Sequence, residues 1–380
     1  MIVFFPLAGR NGDVSDLSNA RPGGSDISTI QLALSLQIKG VHPIFLVHNK
    51  GPTIGYLISL GLHVLHFPVP YIPKRKPVEK KSRSELEKHI GYVETFISSF
   101  DDPIVHTNDA NMHRTWGIFR EKVNFKHVWH ERGIFSHPEC AIKWMKSAHT
   151  VISISKYVDS LKPKGLKNTV VVNNPVKYFE FSSNAKLDMK EKLKKEIGCT
   201  ADYKIITMVA NSNKRKRWDF FAQVCATRKD PKSIYLVVGV ASESFFKEIK
   251  KVYTDFGGNG IIINLGYRSD AVEIIAASDV VLMTSIKEPL GRTLIESIYS
   301  RTPVVASNDG GHKEIVTKEL QEDFLADNKS VSDFVRKLNV ILESGEKKEL
   351  VEHNASELKE KHLPEKHAER IFRIYCNHSC

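Results

Sequence analysis

The chain has 380 residues, of which 41% are hydrophobic and 26% charged, and its net charge at pH 7 is +11. This length suits two domains, and the hydrophobic content is enough for a full core in each. No stretch approaches the eighteen or more apolar residues of a membrane-spanning helix, and no RNP, KH or zinc-finger pattern occurs. The composition therefore argues against a membrane-spanning protein and predicts no nucleic-acid partner.

The positive charge is uneven along the chain. Residues 1–178 hold 23 lysines and arginines against 14 acidic residues, whereas the remainder holds 32 against 30. Such asymmetry is typical of a protein that meets an anionic lipid surface or an acidic substrate. The five cysteines are scattered without CxxC spacing, which indicates a reducing compartment and no cysteine-based metal site. Because the N-terminus lacks the basic segment of a signal peptide, the sequence predicts a cytoplasmic protein, open to peripheral attachment at the inner face of the membrane.

Short apolar runs alternate with helical spacing in the first part of the chain. Residues 1–7 and 44–48 are predicted strands, and the polar segment 8–26 contains Gly23-Gly24 directly before a predicted helix. A glycine pair at a helix start lets the backbone come close to an anion or an acceptor. On its own, such a pair is more often a plain turn.

The run from Tyr71 to Arg83 is the most basic part of the chain. A charge run of this kind is usually a solvated loop and helix start. The alternative is a patch that binds anionic lipid, with about 1 kcal/mol for each basic residue close to the surface. The sequence gives these two interpretations equal weight.

Two predicted strands in the first half end in polar residues, at 103–109 and at 126–133. Because the carboxyl ends of parallel strands meet at one edge of a sheet, these side chains are candidates for contact with a ligand. A lone histidine at a strand end is more often structural, and with 16 histidines in the chain a chance placement is easy. The candidates are His106, Asn108 and Asp109 in the first segment, and His130, Glu131 and Arg132 in the second.

The remaining apolar runs predict the other strands of an α/β protein with two domains. The polar segment 179–188, without an apolar period, is predicted to be the hinge, and a lysine-rich helix follows at about 189–197. Four consecutive basic residues, 214–217, follow the first strand of the second domain and are either a phosphate site or a solvated turn. The predicted strands begin at Thr150 and Thr169 and continue at 203–210, 234–240, 261–266, 280–283 and 304–306.

The stretch 279–316 has the pattern strand, loop, helix, strand, loop, helix. Its first loop carries Glu288, followed by Pro-Leu-Gly, and Glu296 falls in the opening turns of the helix. The backbone N–H groups at about 290–293 are then a natural seat for a diphosphate, and the two carboxylates can accept hydrogen bonds from sugar hydroxyls. The alternative is that Glu296 only complements the helix dipole while Glu288 is a solvated loop residue. The spacing alone leaves both readings open.

The two acids are embedded in a longer pattern. Glu288-x7-Glu296 lies in Glu-Pro-Leu-Gly-Arg-Thr-Leu-Ile-Glu and is followed by Thr-Pro-Val-Val-Ala-Ser and Gly-Gly-x-x-Glu-Ile-Val. This combination resembles the donor-site signature of retaining GT-B glycosyltransferases of family 4, the glycosyl transferases group 1. The resemblance implies two Rossmann-like, doubly wound α/β domains facing across a cleft. Residues 1–178 would bind the acceptor and 179–362 the nucleotide sugar, with a C-terminal helix at about 363–380 crossing back to the first domain.

The resemblance also implies roles for individual residues. Glu288 would contact the transferred sugar and Glu296 the ribose, while His130 would orient the sugar or the acceptor. Lys216, after the first strand of the second domain, would neutralise the leaving diphosphate. The predicted catalytic residues are thus His130, Lys216 and Glu288. The predicted donor-binding residues are Gly24, Asn211, Arg215, Arg217, Gly239, Pro289, Leu290, Gly291, Arg292, Thr293 and Glu296. His106, Asn108, Asp109, Glu131 and Arg132 are placed on the acceptor side.

One departure from the family pattern affects the phosphate contacts. The family has an arginine shortly before the phosphate lysine, and in this chain Asn211 falls near that place. Arg215 or Arg217 is therefore expected to substitute for it.

The implied reaction moves a sugar from a nucleotide sugar to a glycan or lipid-linked acceptor, with retention, in the synthesis of cell-surface polysaccharide or glycoconjugate. No Asp-x-Asp motif occurs, so neither a metal nor another cofactor is expected. Two alternatives stay open: a GT-B sugar-nucleotide epimerase, and a non-catalytic protein that binds nucleotide sugars or polyanions. A dinucleotide-dependent dehydrogenase is disfavoured because no GxGxxG follows a strand. The nucleotide base, the sugar and the acceptor are left undetermined.

Overall fold

The computed structural model describes residues 1–20, 22–73, 80–134, 139–199, 202–344 and 348–377. The chain divides into two compact units, of which the first consists of Met1–Pro175 and Lys361–Cys380 and the second of Val176–Glu360. The boundaries expected from the sequence, after residues 178 and 362, lie within three residues of these.

The first unit contains a seven-stranded parallel sheet in the order β3-β2-β1-β4-β5-β6-β7. In β1, Phe4 packs into one hydrophobic cluster while its neighbours Val3 and Phe5 pack into another, and all three are fully buried. Successive side chains of a strand point to opposite faces, so the strand is apolar on both sides. The strands are β1 (Ile2–Leu7), β2 (His42–Val47), β3 (His63–His66), β4 (Ile104–Thr107), β5 (Lys126–Glu131), β6 (Thr150–Ser153) and β7 (Thr169–Val171).

The second unit contains a six-stranded parallel sheet in the order β10-β9-β8-β11-β12-β13. Every residue of β9, β11 and β12 in this sheet is buried. The strands are β8 (Lys204–Val209), β9 (Ser233–Val238), β10 (Ile261–Gly266), β11 (Val280–Met283), β12 (Val304–Ser307) and β13 (Leu325–Ala326).

Helices connect the strands of both sheets. Those before the unit boundary are α1 (Gly24–Gln37), α2 (Pro52–Ser59), α3 (Lys80–Glu87), α4 (Ile90–Ser98), α5 (Ala110–Arg120), α6 (Glu139–Ser147) and α7 (Lys156–Ser160). Those that follow are α8 (Ser183–Glu196), α9 (Trp218–Arg228), α10 (Glu243–Asp255), α11 (Ala271–Ala277), α12 (Arg292–Tyr299), α13 (His312–Ile315), α14 (Lys318–Phe324), α15 (Val331–Ser344) and α16 (Lys348–His362). The last helix is α17 (Pro364–Cys376).

The two sheets share one topology. In each, the strand order runs outward in two directions, from β1 and its neighbour β4 in the first sheet and from β8 and its neighbour β11 in the second. This confirms the predicted class of two Rossmann-like, doubly wound α/β domains. Where the strand order reverses, the loops that leave the carboxyl ends of the two strands diverge, and ligands bind in the space that results. In the second unit these are the loops after β8 and β11.

The C-terminal helix belongs to the first unit, as predicted. Ala368, Ile371 and Tyr375 of α17 are fully buried in the cluster that also contains Leu36 of α1 and Val3 of β1. Proline at the first helical position suits the start of α17, because a residue there has no intrahelical partner for its N–H.

The prediction of a hinge at 179–188 is wrong, because α8 begins at Ser183 inside that segment. Ser182 is the N-cap of this helix, and its hydroxyl accepts a hydrogen bond from the amide of Ala185 at 3.2 Å. Most of the helix faces solvent, so its first turns lack the apolar period that marks a packed helix. Ser182, a residue type favoured at the N-cap, was the sequence feature that could have indicated this helix start.

The basic run at 71–83 is only partly covered, because 74–79 lie outside the described residues. Its last part forms the start of α3, where Arg83 pairs with Glu87 at 2.9 Å and with Glu121. Among the described residues, every helix is too short or too polar to span a lipid bilayer.

The packing of α17 predicts how much stability is lost when one of its buried side chains is shortened. Because Ile371 is fully buried, Ile371→Ala should lower the free energy of unfolding of the first unit by about 2–5 kcal/mol. The matched control is Ile374→Ala in the same helix, where the side chain is only half-buried and the loss should be less than half as large. Urea unfolding followed by tryptophan fluorescence reports mainly on this unit, which holds Trp116, Trp129 and Trp144 out of four tryptophans. Equal losses for the two variants would contradict the described packing of α17.

Candidate functional site

The loops after β8 and β11 are bonded to each other in the second unit. The hydroxyl of Thr284 donates to the carbonyl of Lys216 at 3.0 Å, and the amide of Ile286 donates to the carbonyl of Arg215 at 2.9 Å. A short 3₁₀ turn at Lys214–Lys216, capped by the side chain of Asn213, forms the β8 side of this contact. The two loops therefore hold their side chains in a fixed relation at the point where the strand order reverses.

Lys216 and Glu288, predicted from separate motifs, form an ion pair across these loops. The Lys216 Nζ lies 2.8 Å from Glu288 Oε2, and Glu288 is only 8% exposed. Burial by itself would raise the pKa of the Glu288 carboxyl, but the Lys216 ammonium, followed by His312 and Arg215, outweighs burial and holds that pKa below its ordinary value. The site thus keeps a buried, ionised carboxylate with a cation in direct contact.

The loop after β12 fixes the backbone of Glu288 from the other side. The amide of Gly311 donates to the carbonyl of Glu288 at 2.8 Å, and the amide of Lys287 donates to the Asp309 carboxylate at 2.6 Å. A Cβ on Gly310, whose φ is +57°, would lie 2.5 Å from the carbonyl oxygen of Glu288. The Gly-Gly pair of the sequence motif is thus explained by the close approach of two backbones.

Helix α12 begins directly after this loop. Its N-cap is Gly291 with φ +104°, and the guanidinium of Arg292 lies 3.6 Å from the carboxylate of Glu296 one turn later. Burial raises the pKa of Glu296 above its ordinary value although Arg292 opposes the shift, and burial lowers the pKa of Arg292. A second ion pair, Arg292–Glu296, therefore lies at the helix start, where orphan N–H groups favour an anion.

Leu290 and Thr293 lie on either side of the N-cap. Leu290 is buried at 4% exposure, and the hydroxyl of Thr293 faces the carbonyl of Val209, at the end of β8, at 3.5 Å. Pro289 precedes them and is also buried. The side chains of this segment are thus packed inward, which leaves its backbone as the part suited to bind a ligand.

His312 is part of the same site, although no sequence motif predicted it. The ring is fully buried, its Nδ1 is 3.0 Å from the carbonyl oxygen of Ser307, and its Nε2 has no hydrogen-bond partner among the described residues. A Cβ on Gly291 would lie 3.1 Å from that Nε2. The only signal in the sequence was the position of His312 directly after Gly310-Gly311.

Of the cations expected to replace a missing arginine, only Arg215 lies near the ion pair. Its guanidinium donates to the carbonyl of Lys287 at 3.1 Å. Arg217 has a left-handed backbone, donates to the carbonyl of Asn328 and stacks on the ring of Phe220 at 3.9 Å. The side chain of Arg217 is thus committed to structural contacts.

Asn211 and Gly239 also have structural roles. The side-chain oxygen Oδ1 of Asn211 accepts a hydrogen bond from the amide of Val240 at 2.9 Å, which fixes the loop after β9. Gly239 has φ +152°, and a Cβ there would lie 2.0 Å from the carbonyl oxygen of Ala210. Gly24 is different, because a Cβ at this first residue of α1 would meet no atom within 4 Å. The space beside Gly24 is therefore open.

In the first unit, the structure brings two predicted histidines together. Nε2 of His106 on β4 lies 3.0 Å from Nδ1 of His130 on β5, and Nδ1 of His106 is hydrogen-bonded to the hydroxyl of Tyr375 on α17. Burial, followed by the Arg132 guanidinium, holds the pKa of both histidines well below its ordinary value, so both rings are neutral at neutral pH. Nε2 of His130 has no partner within the described part of the chain.

The other predicted acceptor-side residues are mostly bonded within the unit. Arg132 donates to the side-chain carbonyl of Asn108 at 2.7 Å and to that of Asn174. Glu131 accepts a hydrogen bond from the indole of Trp129 at 3.0 Å. Asp109 is the N-cap of α5. Asn108 and Arg132 thus lie together at the strand ends, whereas Asp109 stabilises a helix start.

A metal centre is not part of either group of residues. Among the side chains that the structure describes, no three or more histidine, cysteine, aspartate or glutamate residues lie close enough to hold a metal ion.

Comparisons with known proteins find similarity to glycosyltransferases. Residues 189–358 match the model of the family described as glycosyl transferases group 1. The UDP-Gal:alpha-D-GlcNAc-diphosphoundecaprenol alpha-1,3-galactosyltransferase of Escherichia coli is 27% identical over 187 residues, which are 48% of this chain and 46% of that protein. The chain therefore spans about half the length of this relative.

Solved structures match over nearly the whole chain. A glycosyltransferase from Rickettsia africae has a TM-score of 0.80 at 19% identity, with 98% of this chain and 97% of that chain covered. Anabaena HepE in complex with UDP and glucose has a TM-score of 0.77 at 19% identity, with 99% of each chain covered. These likenesses establish the GT-B fold.

The close contact at Gly310 predicts a large effect of one added methyl group. Gly310→Ala should cost more stability than Gly257→Ala, because both glycines have left-handed backbones but only Gly310 faces another backbone. The left-handed conformation alone should cost about 1–2 kcal/mol in each variant. The forced shift of the Glu288 loop should add about 1–3 kcal/mol in Gly310→Ala. Scanning calorimetry of the two variants checks this, and equal losses would count against the described loop contact.

Proposed function

Residues 189–358 match the family model of the glycosyl transferases group 1, and on that premise we propose that the protein is a glycosyltransferase that uses a nucleotide sugar as donor. The observation that carries the proposal is the buried Lys216–Glu288 ion pair beside the start of α12. A cation, a carboxylate and a helix start are the three features needed to hold a diphosphate that is joined to a sugar.

The ion pair leaves hydrogen-bonding capacity on both partners. Lys216 has three N–H donors and uses one of them on Glu288 Oε2, so two remain for phosphate oxygens. The Glu288 carboxylate has a second oxygen, Oε1, that can accept hydrogen bonds from the hydroxyls of the transferred sugar. Glu296, held by Arg292 one turn into α12, is proposed to accept from the ribose hydroxyls.

Breaking the bond between sugar and diphosphate builds negative charge on the leaving oxygens. Lys216 and the backbone N–H groups at 290–293 are proposed to stabilise this charge, in a site where burial strengthens each interaction. We further propose that the reaction needs no metal and retains the anomeric configuration. His130, whose Nε2 has no hydrogen-bond partner among the described residues, is proposed to orient the transferred sugar or the acceptor.

The donor and acceptor classes rest on the related proteins. The Escherichia coli relative is named for UDP-galactose and for an acceptor on diphosphoundecaprenol, and the Anabaena structure contains UDP and glucose. We therefore propose a UDP-sugar as the first donor to test and a glycan or lipid-linked acceptor. The excess of basic residues in 1–178 supports an anionic membrane surface as a further partner of the first unit.

The proposal predicts stabilisation by a nucleotide sugar. A donor present at 100 times its Kd should stabilise the protein by about 2.7 kcal/mol. The measurement is a thermal-shift series with UDP-glucose, UDP-galactose, UDP-N-acetylglucosamine, GDP-mannose and ADP-glucose, each with and without EDTA. A shift that EDTA does not change supports metal-independent binding. The absence of a shift with every donor would contradict the proposed function.

A second prediction concerns transfer itself. Glu288→Gln keeps the side-chain size but removes the charge that faces Lys216, and the rate of sugar transfer should fall about 100-fold or more. Glu319→Gln, at an exposed position of α14, is the matched control and should keep the wild-type rate. Product analysis with and without acceptor separates transfer from epimerisation, and NMR of the product gives the anomer. Unchanged transfer in Glu288→Gln would contradict the proposed role of Glu288 in the reaction.

A further inference from the structure

The hydrogen bonds of His312 define the protonation of its ring. The ring is fully buried and its Nδ1 is 3.0 Å from the Ser307 carbonyl oxygen. A carbonyl oxygen can only accept a hydrogen bond, so Nδ1 carries a proton. In the neutral ring, Nε2 then presents a lone pair.

This lone pair has no donor facing it among the described residues. Nε2 lies 3.1 Å from the position that a Cβ on Gly291 would take, and Gly291 is the N-cap of α12. The unpartnered nitrogen thus lies beside a helix start, the place where an anion is most favoured.

His48 in the first unit shows the same arrangement in a complete form. Its Nδ1 is 2.6 Å from the carbonyl oxygen of Val69, and its Nε2 accepts a hydrogen bond from the indole N–H of Trp116 at 3.4 Å. There the protein itself supplies the donor to Nε2. At His312 no described residue supplies that donor.

The charged groups around His312 oppose one another. Burial, the largest effect, and Lys216 lower the pKa of the ring, whereas Glu288 and Asp309 raise it, and the net pKa is below its ordinary value. The ring is therefore neutral in the free protein at neutral pH. The other charged residues nearby in the fold are Arg292 and Glu296 of α12, which pair with each other, and Lys313 and Glu314 of α13 itself.

We infer that His312 takes up a proton when the diphosphate of a nucleotide sugar binds at the start of α12, and that Nε2–H then donates to a phosphate oxygen. This inference rests on the proposed function. A lone pair and a phosphate oxygen are both acceptors and repel each other, whereas a proton between them creates a charge-assisted hydrogen bond. The imidazolium adds a cation to Lys216 and Arg215, in a unit where Asn211 and Arg217 are committed to structural contacts.

The sign of the pH dependence follows from this step. The pKa of His312 is higher in the complex than in the free protein, because the bound phosphate stabilises the charged ring. Affinity for the nucleotide sugar is then highest at low pH. It falls by about tenfold per pH unit as the pH rises between the two pKa values.

The test is titration calorimetry of the full chain at about pH 7, repeated in buffers with different ionisation enthalpies. The probe is the nucleotide sugar that gives the largest thermal shift in the donor series. A nucleotide sugar is preferred to a free nucleoside diphosphate, because a terminal phosphate itself titrates near pH 6. The expected result for the wild-type protein is an uptake of up to about one proton per nucleotide sugar bound.

Two variants assign the proton. In His312→Gln the uptake should fall to about zero, and the affinity below neutral pH should fall about 10- to 100-fold, with a smaller loss at high pH. His48→Gln is the matched control and should take up the same number of protons as the wild type. If His312→Gln fails to fold, the wild-type measurement still decides whether a proton binds.

The outcomes separate this inference from the proposed function. Binding of a nucleotide sugar without proton uptake would overturn the role of His312 and leave the donor site in place. Proton uptake that persists in His312→Gln would overturn it too, since another group would then take the proton. If no nucleotide sugar binds to the wild-type protein, both the proposed function and the inference fail.

Discussion

The ion pair between Lys216 and Glu288 is the interaction on which the site in the second unit depends. A carboxylate that is 8% exposed cannot stay ionised without a partner, and removing one member of such a pair leaves an uncompensated buried charge. The pair joins loops that are 72 residues apart in the chain. Its geometry is set by backbone contacts, since Thr284 and Ile286 bond one loop to the other and Gly311 holds the carbonyl of Glu288. The arrangement is therefore built before any ligand arrives.

A preformed pair changes how an anion is bound. Lys216 is matched by Glu288, and Arg292 by Glu296, so both of these cations are already paired. Attraction to a diphosphate can come from Arg215, from the orphan N–H groups of α12, from the unused N–H groups of Lys216 and, by our inference, from a proton on His312. Such a site favours a ligand that also has hydroxyl groups for the two carboxylates. A nucleotide sugar has this combination, whereas a simple polyanion does not.

The sequence was sufficient for the architecture because parallel strands are apolar on both faces and stand out as short apolar runs. β11, for example, was predicted at the bounds the structure has, 280–283. The sequence also predicted that the candidate site would lie in the loops after β8 and β11, because ligands bind where the strand order reverses. The two-residue strand β13 and the start of α8 were missed, since the first is too short for a pattern and the second has little buried surface.

Side-chain partners were harder to foresee than positions. Four consecutive basic residues gave no indication that Lys216 would meet Glu288 while Arg217 stacks on Phe220. That difference arises from the left-handed backbone of Arg217, which a sequence pattern does not reveal. His312 was also missed, because it belongs to no recognised motif. What distinguishes it is a buried Nε2 without a hydrogen-bond partner among the described residues, and only the structure shows this. The predicted roles of the individual site residues remain predictions.

The packing of α17 has a consequence for synthesis of the protein. The second unit is a continuous piece of chain, Val176–Glu360, so all of it has been made before α17 leaves the ribosome. Residues 1–175 of the first unit are made before the second unit, but the cluster around Val3 and Leu36 lacks Ala368, Ile371 and Tyr375 until those residues have been translated after it. Domains usually fold in order from the N-terminus. Here the unit made first must complete its core last, and until then its apolar helix-binding face is exposed to chaperones and to aggregation.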